Sequence, residues 1–181
     1  MAEALPVLTT RSTAQDVRLL VLDVDGTLTD GSIILAADGT ESKRFSVRDG
    51  MGLRLVREAG VQVAVLSARS AGAVEHRMKQ LKIECVVQGA DNKAIGIQRV
   101  LEQTGIAPEY TAMMGDDILD LPAMVRTGFA VAVGDAAPEV KQHAEYVTAA
   151  HGGDGAVRET CEFLLKEQGK WAGLVRKYLA L

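Results

Sequence analysis

Leu19-Leu20-Val21-Leu22-Asp23-Val24-Asp25-Gly26-Thr27 decides how the chain folds, because four consecutive apolar residues run directly into a pair of acids and a glycine. An unbroken apolar run of this kind reads as a strand buried on both faces, as in parallel sheets covered by helices. Alternation along an extended chain sends the side chains of Asp23 and Asp25 to the same side. They emerge at the strand's carboxyl end, where open α/β sheets hold their ligands. Two carboxylates so close invite a divalent cation, which lets one stay ionised as a nucleophile while the other, kept protonated, serves as a general acid. For the pentapeptide alone, a strand ending in an Asp-Gly turn is the alternative.

Outward from this stretch, strand-like runs recur at 61-66, 84-87, 111-114, 129-133 and 146-148. Helical patterns lie between them at 50-59, 71-81, 92-103, 117-125, 138-144 and 155-168. This alternation predicts an α/β fold, a doubly wound Rossmann-like parallel sheet. One insertion breaks it: residues 32-36 and 40-45 flank Ala37-Asp38-Gly39 and read as a β-hairpin. A hairpin exposing Ile33, Leu35 and Phe45 is an edge liability, so it is expected to pair or pack against another subunit. Residues 1-16 read as a loosely held arm, 17-168 as the domain, and 169-181 as a tail with Leu174, Val175, Tyr178 and Leu179 at helical spacing.

With 181 residues, 48% of them hydrophobic, the chain is long enough to bury one core without staples. A formal net charge of -4 argues against nucleic-acid binding. No apolar stretch approaches the roughly 20 residues of a membrane span and no signal peptide precedes the first strand, so no membrane association and a cytoplasmic location are expected. Cys85 and Cys161 show no metal-ligand spacing and read as small core residues.

Later strands also end in polar residues. Ser67-Ala68-Arg69-Ser70 offers hydroxyls, amides and an Arg at the start of a helix, where a phosphate is welcome and where Ser is equally a plain cap. Lys93 opens another helix, facing the positive end of its dipole, which points to an anion nearby unless the lysine is merely solvated. Met113-Met114-Gly115-Asp116-Asp117-Ile118-Leu119-Asp120 repeats the opening pattern, an apolar strand breaking at glycine into acids. Asp117 can cap the following helix while Asp116 and Asp120 share a face. Together with Asp23 and Asp25 these acids look like an oxygen-ligand site for a hard cation. His76, His143 and His151 lie in polar helix patterns or a loop and read as surface residues.

In order and across nearly the whole chain, these residues resemble the four motifs of the haloacid dehalogenase superfamily of phosphotransferases. Asp23-Val24-Asp25-Gly26-Thr27 corresponds to the first motif, Ser67 to the second, Lys93 to the third, and Gly115-Asp116-Asp117 with Asp120 to the fourth. The resemblance implies that Asp23 attacks phosphorus, that Asp25 protonates the leaving alkoxide and then activates water, and that Ser67 and Lys93 bind the phosphoryl oxygens. It implies a Mg²⁺ cofactor held by the Asp23 and Asp116 carboxylates and the Asp25 backbone carbonyl, with Asp117 and Asp120 behind them. Only about 20 residues separate the first motif from the next helix, too few for a cap domain of roughly 50 or more.

The segments Phe45-Ser46-Val47-Arg48-Asp49-Gly50, Ser67-Ala68-Arg69, Gln88-Gly89 and Gly152-Gly153-Asp154-Gly155-Ala156-Val157-Arg158-Glu159 resemble the capless 3-deoxy-D-manno-octulosonate 8-phosphate phosphatase family. That family usually has Thr and Gly where this chain has Ser67 and Ala68; serine keeps the hydroxyl. The resemblance implies a homotetramer in lipopolysaccharide precursor synthesis, with the hairpin and chain end helping a neighbour close its site. It implies contacts to a sugar-acid phosphate from Asp25, Ser46, Val47, Arg48, Asp49, Gly50, Arg54, Arg69, Arg77 and Lys93. A carboxylate-bearing substrate suits arginine, although Arg54 and Arg77, within helices, read equally as solvated or salt-bridged, and Arg158 as a brace for its glycine loop. Three alternatives remain: a phosphatase of nine-carbon keto-acid 9-phosphates, disfavoured by Arg69 where that group carries an acid; a phosphorylated signalling receiver, whose acids are spaced differently; and a non-enzymatic oligomerisation module of the same fold, which need not keep the acids.

Overall fold

β1 (Leu19–Leu22) lies in the interior of a six-stranded parallel sheet, its four side chains removed from solvent. The computed structural model describes residues 4-180. After β1 come a short hairpin, β2 (Ile34–Leu35) and β3 (Glu41–Ser42), then α1 (Val47–Glu58), β4 (Gln62–Leu66), α2 (Gly72–Leu81), β5 (Cys85–Val87) and α3 (Lys93–Thr104). β6 (Thr111–Gly115), α4 (Leu121–Met124), β7 (Phe129–Ala132), α5 (Pro138–Gln142), β8 (Tyr146–Val147), α6 (Ala156–Glu167) and α7 (Trp171–Leu179) complete the chain. The sheet order is β5-β4-β1-β6-β7-β8. Leu20 stands opposite Val63 of β4 on one side and Ala112 of β6 on the other. The chain winds outward from β1 through β4 and β5, then returns to β6, so the topological switch lies between β1 and β6. α1, α2 and α6 pack together on one face and α3 with α4 on the other, which is why β1 and β7 carry apolar residues at every position and β6 is buried along its whole length.

Each strand-like run expected from the sequence becomes a strand, while several helix boundaries move. α1 starts at Val47, because the Ser46 hydroxyl accepts the Asp49 amide and caps the helix. The segment expected as one helix over 117-125 divides into a 3-10 turn, Ile118–Asp120, and the short α4. Asp117 caps that turn, and Pro122, which has no N–H to offer, falls where α4 begins. The hairpin pairs only two residues on each strand. Ile33, Ile34 and Leu35 stand 55%, 49% and 64% exposed, whereas Phe45 packs against the core.

The arm is a correction. Residues 1-3 of it lie outside the described residues, but from Leu5 onward the segment is stitched to the domain rather than loosely held. Arg126 Nε donates to the Leu5 carbonyl (2.6 Å), the Leu8 amide to Val125 (2.9 Å) and the Ser12 amide to Gly128 (2.8 Å). Arg11 pairs with Glu145 and donates to the carbonyls of Met124 and Thr127. Up to Ala180 the tail folds back on its own chain: Tyr178 and Lys177 of α7 donate to Glu58 of α1, and Trp171, Leu174 and Tyr178 cover the core. Leu181 lies outside the described residues. Cys161 is buried as expected, whereas Cys85 is only half-buried. Among the described residues, no helix is long and apolar enough to cross a membrane.

Candidate active site

Strand ends at and beside the switch point converge on one small cavity. It is lined by Asp23, Asp25, Ser67, Ala68, Arg69, Lys93, Asp116, Asp117, Leu119 and Asp120. Asp23 continues β1, its amide donating to the Met114 carbonyl (3.0 Å), so its carboxylate is delivered by a fully buried strand. Ser67 follows β4; its amide donates to Val87 (2.9 Å) and its hydroxyl accepts the Arg69 amide (3.2 Å), which fixes the turn. Lys93 is the first residue of α3, whose Asn92 cap accepts the amides of Ala94 and Ile95. Only 3% of Lys93 is exposed, and its ammonium bridges Asp23 (2.6 Å) and Asp120. The anions expected near that lysine are thus these two carboxylates.

Asp120 is fully engaged. Its Oδ1 takes Lys93, and its Oδ2 accepts the amides of Asp116 (2.9 Å) and Asp117 (3.3 Å). Asp117 faces solvent and caps the Ile118 amide (2.7 Å). The Asp116 carboxylate accepts only the Thr27 hydroxyl (3.2 Å) among the described residues. Its approach requires Gly26, at φ +92°, because any Cβ there would land on the Asp116 carboxylate.

Three carboxylates around one ammonium leave an excess of negative charge. Burial and then the Asp120 charge push Asp23 up to about 6, against the pull of Lys93. Burial and the charges of Asp120 and Asp23 push Asp116 up to about 8. Carboxylate oxygens of Asp23, Asp116 and Asp120 can be chosen within 4.8 Å of one another. With Asp120 saturated, Asp23 and Asp116 keep oxygens for a hard divalent cation, and the uncompensated charge fits one.

Asp25 is turned toward the hairpin. Its carboxylate pairs with Lys43 and lies 3.7 Å from Arg69 Nε, while Lys43 also meets Glu41 (2.7 Å) and Arg69 reaches the same Glu41 (2.7 Å). Sequence reasoning missed Glu41 and Lys43. On a polar hairpin edge they carry no motif, and only the fold brings them to Asp25.

The expected substrate contacts divide. Asp25, Arg69 and Lys93 line the catalytic cavity, whereas Val47, Gly50, Arg54 and Arg77 line a separate groove between α1 and α2. There Arg77 donates to the Ser46 carbonyl (3.3 Å) and Arg54 pairs with Glu58 (2.9 Å). Arg48 is exposed at the start of α1. Asp49 departs most from the expectation of a ligand contact: it is buried, and its carboxylate accepts the Arg158 amide (2.7 Å) and the Gly155 amide (3.4 Å), capping α6. An acid in the first turn of α1 thereby fixes the start of a distant helix.

That cap helps to seat the glycine-rich loop on the first motif. The Gly153 amide donates to the Thr27 carbonyl (3.0 Å), and a Cβ on Gly152 would land on the Gly26 carbonyl oxygen. Glu159 accepts the amides of Ala149 and Ala150 and the Tyr146 hydroxyl, each at 2.9 Å. The Arg158 side chain pairs with Glu162 and lies over Trp171, bracing α6 against α7. His151 is exposed beside Asp135.

A buried carboxylate at a central strand end, with a serine and further acids at flanking strand ends and a buried lysine opening the next helix, defines a haloacid dehalogenase-like hydrolase. Residues 86-159 match that family. The chain is 47% identical over 157 residues to 3-deoxy-D-manno-octulosonate 8-phosphate phosphatase KdsC from Escherichia coli, covering 87% of this chain and 84% of that protein. The crystal structure of the Yersinia pestis 3-deoxy-D-manno-octulosonate 8-phosphate phosphatase superimposes with a TM-score of 0.86 at 41% identity, covering 88% and 86% of the two chains. That from Moraxella catarrhalis, in complex with magnesium, phosphate and KDO, gives 0.88 at 36% identity over 91% and 95%. The chain belongs to the 3-deoxy-D-manno-octulosonate 8-phosphate phosphatase family of haloacid dehalogenase-like hydrolases.

Proposed function

We propose that the protein is a Mg²⁺-dependent phosphomonoesterase that hydrolyses 3-deoxy-D-manno-octulosonate 8-phosphate, working in the cytoplasm in lipopolysaccharide precursor synthesis. The observation that carries the reading is the Asp23–Lys93–Asp120 array at the switch point, beside Ser67, Asp25 and Asp116. The carboxylates of Asp23 and Asp116 and the backbone carbonyl of Asp25 would hold Mg²⁺, which would supply charge neutralisation for the phosphoryl oxygens. Asp23 attacks phosphorus in line with the departing sugar oxygen and becomes an aspartyl phosphate. Asp25 gives its proton to that oxygen, then takes one from the water that cleaves the phosphoenzyme. Ser67 and Lys93 hold the transferring oxygens, and Asp120 fixes Lys93 while ordering the Asp116 turn.

Arg69, half-exposed at the cavity mouth, is the contact within this chain best suited to the sugar-acid carboxylate. The cavity holds about 140 Å³, below the roughly 300–1,000 Å³ of pockets that enclose a whole ligand, so most of the sugar stands outside it. Screening phosphate release from sugar and sugar-acid phosphates with and without Mg²⁺ tests the reading. The octulosonate ester should be preferred, and R69A should weaken its kcat/KM by roughly tenfold or more, as expected when a charge-assisted hydrogen bond to the substrate carboxylate is lost. A small neutral phosphate ester should change little. Equal losses on both would remove Arg69 from substrate recognition.

A small cavity and an exposed apolar run on the first strand of the hairpin support a homotetramer in which neighbours complete the binding surface, bringing Ser46, Val47, Arg48, Gly50, Arg54 and Arg77 to bear on the substrate from outside the cavity. Ile33, Ile34 and Leu35 would be buried between subunits. Light scattering at micromolar concentration should report four copies, and I33E/L35E should lower that number. A wild-type monomer would sink the assembly.

A further inference from the structure

We propose that Lys43 is the positioning residue for Asp25, holding the acid–base carboxylate in its working orientation from the hairpin; this rests on the assignment of Asp25 as general acid. Asp23 is fixed by a buried lysine, and Asp120 by that lysine and two amides. Asp25 has no comparable support from its own loop. Among the described residues, the hydrogen bond to its carboxylate comes from Lys43 Nζ. The Lys43 side chain is 1% exposed although it lies just beyond a two-residue strand on a hairpin whose tip faces solvent. A lysine withdrawn so far from water requires paired charge, and it meets Asp25 on one side and Glu41 on the other. Arg69 closes the ring, bonded to Glu41 and lying 3.7 Å from Asp25. Two cations therefore interleave two carboxylates, one from the first motif and one from the hairpin.

This arrangement has a chemical consequence. Asp25 must point to the leaving oxygen in one half of the reaction and to a water in the other, and proton transfer is sensitive to the placement of the donor. Lys43 limits where that carboxylate can go, while Glu41 anchors Lys43 to the hairpin. Lys43 does not line the cavity formed by Asp23, Lys93 and Asp116. Its loss should be felt only to the extent that the reaction needs a proton delivered.

The test is a leaving-group series, 4-nitrophenyl phosphate, phenyl phosphate and an alkyl phosphate, read as kcat/KM in wild type, K43M, K43R, D25N and K43M/D25N. K43M should lose about 100-fold on the alkyl ester, the low end of what positioned acid catalysis contributes, and less than about fivefold on the 4-nitrophenyl ester. K43R, which keeps charge but changes reach, should give an intermediate slope and carries the test if K43M does not fold. K43M should add little to D25N on the alkyl ester. Equal losses along the series in both Lys43 variants, or multiplying losses in the double variant, would overturn the proposal. D23N separates this outcome from the parent reading: activity surviving in D23N on all three esters refutes the phosphoenzyme mechanism, whatever Lys43 does.

Discussion

D23N is expected to lower phosphate release on the order of 10⁴-fold or more, because the amide keeps the shape of the carboxylate and removes its nucleophilic charge. The same variant should fold at least as well as wild type in the metal-free state. Burial raises Asp23 from 3.8 to about 6, so the folded protein holds this proton more tightly than the unfolded chain. Between those values the native state binds the extra proton, and stability therefore falls as pH rises through that window. Asn escapes the penalty. Thermal unfolding without metal should show D23N gaining on wild type from about pH 4 to pH 6 and holding the gain above it, with activity lost throughout. Turnover retained within tenfold would remove Asp23 as the nucleophile.

K93M should be the most damaging single change for activity and stability together. Lys93 is the ammonium between Asp23 and Asp120, and its removal leaves buried carboxylates without a counter-charge. Breaking a buried pair in this way costs about 3–5 kcal/mol, which for a chain of this size lowers Tm on the order of 10 °C. Turnover should fall by about 10³-fold, since one donor to developing phosphoryl charge is lost and the nucleophile is no longer held. Mg²⁺ should recover part of the lost Tm by supplying positive charge to the same acids, without restoring turnover. A K93M protein as stable and as active as wild type would contradict the array at its centre.

Strands were legible because burial on both faces leaves an apolar run that polar residues bound, and Leu19 to Leu22 is the plainest case. Residues at strand ends were legible for the same reason: Asp23, Ser67 and Asp116 follow such runs, Lys93 opens a helix, and the fold gathers all four into one cavity. Charged residues whose meaning depends on a distant partner were not. Lys43 sits 18 positions from Asp25, and no local pattern distinguishes it from the neighbouring Arg44, which pairs with Asp30 at the surface. Asp49 carries the opposite lesson. The family resemblance suggested a ligand contact, but the carboxylate caps α6 through an amide 109 positions away. The split of the segment after Asp116 was likewise hidden, because it depends on Asp120 drawing two amides toward itself.

Interior placement of β1 also sets the order in which the molecule can assemble. Leu19 pairs with Gln62 on one side and Thr111 on the other, so the earliest strand to leave the ribosome waits longest for its second neighbour. Until then one edge of Leu19 to Leu22 has no strand to pair with, and Asp23 is already attached to its end. Pairings so remote in sequence slow folding and lengthen exposure to wrong partners. Chemistry competence therefore arrives late: the Thr27 carbonyl gains its Gly153 partner only when most of the polypeptide has been made.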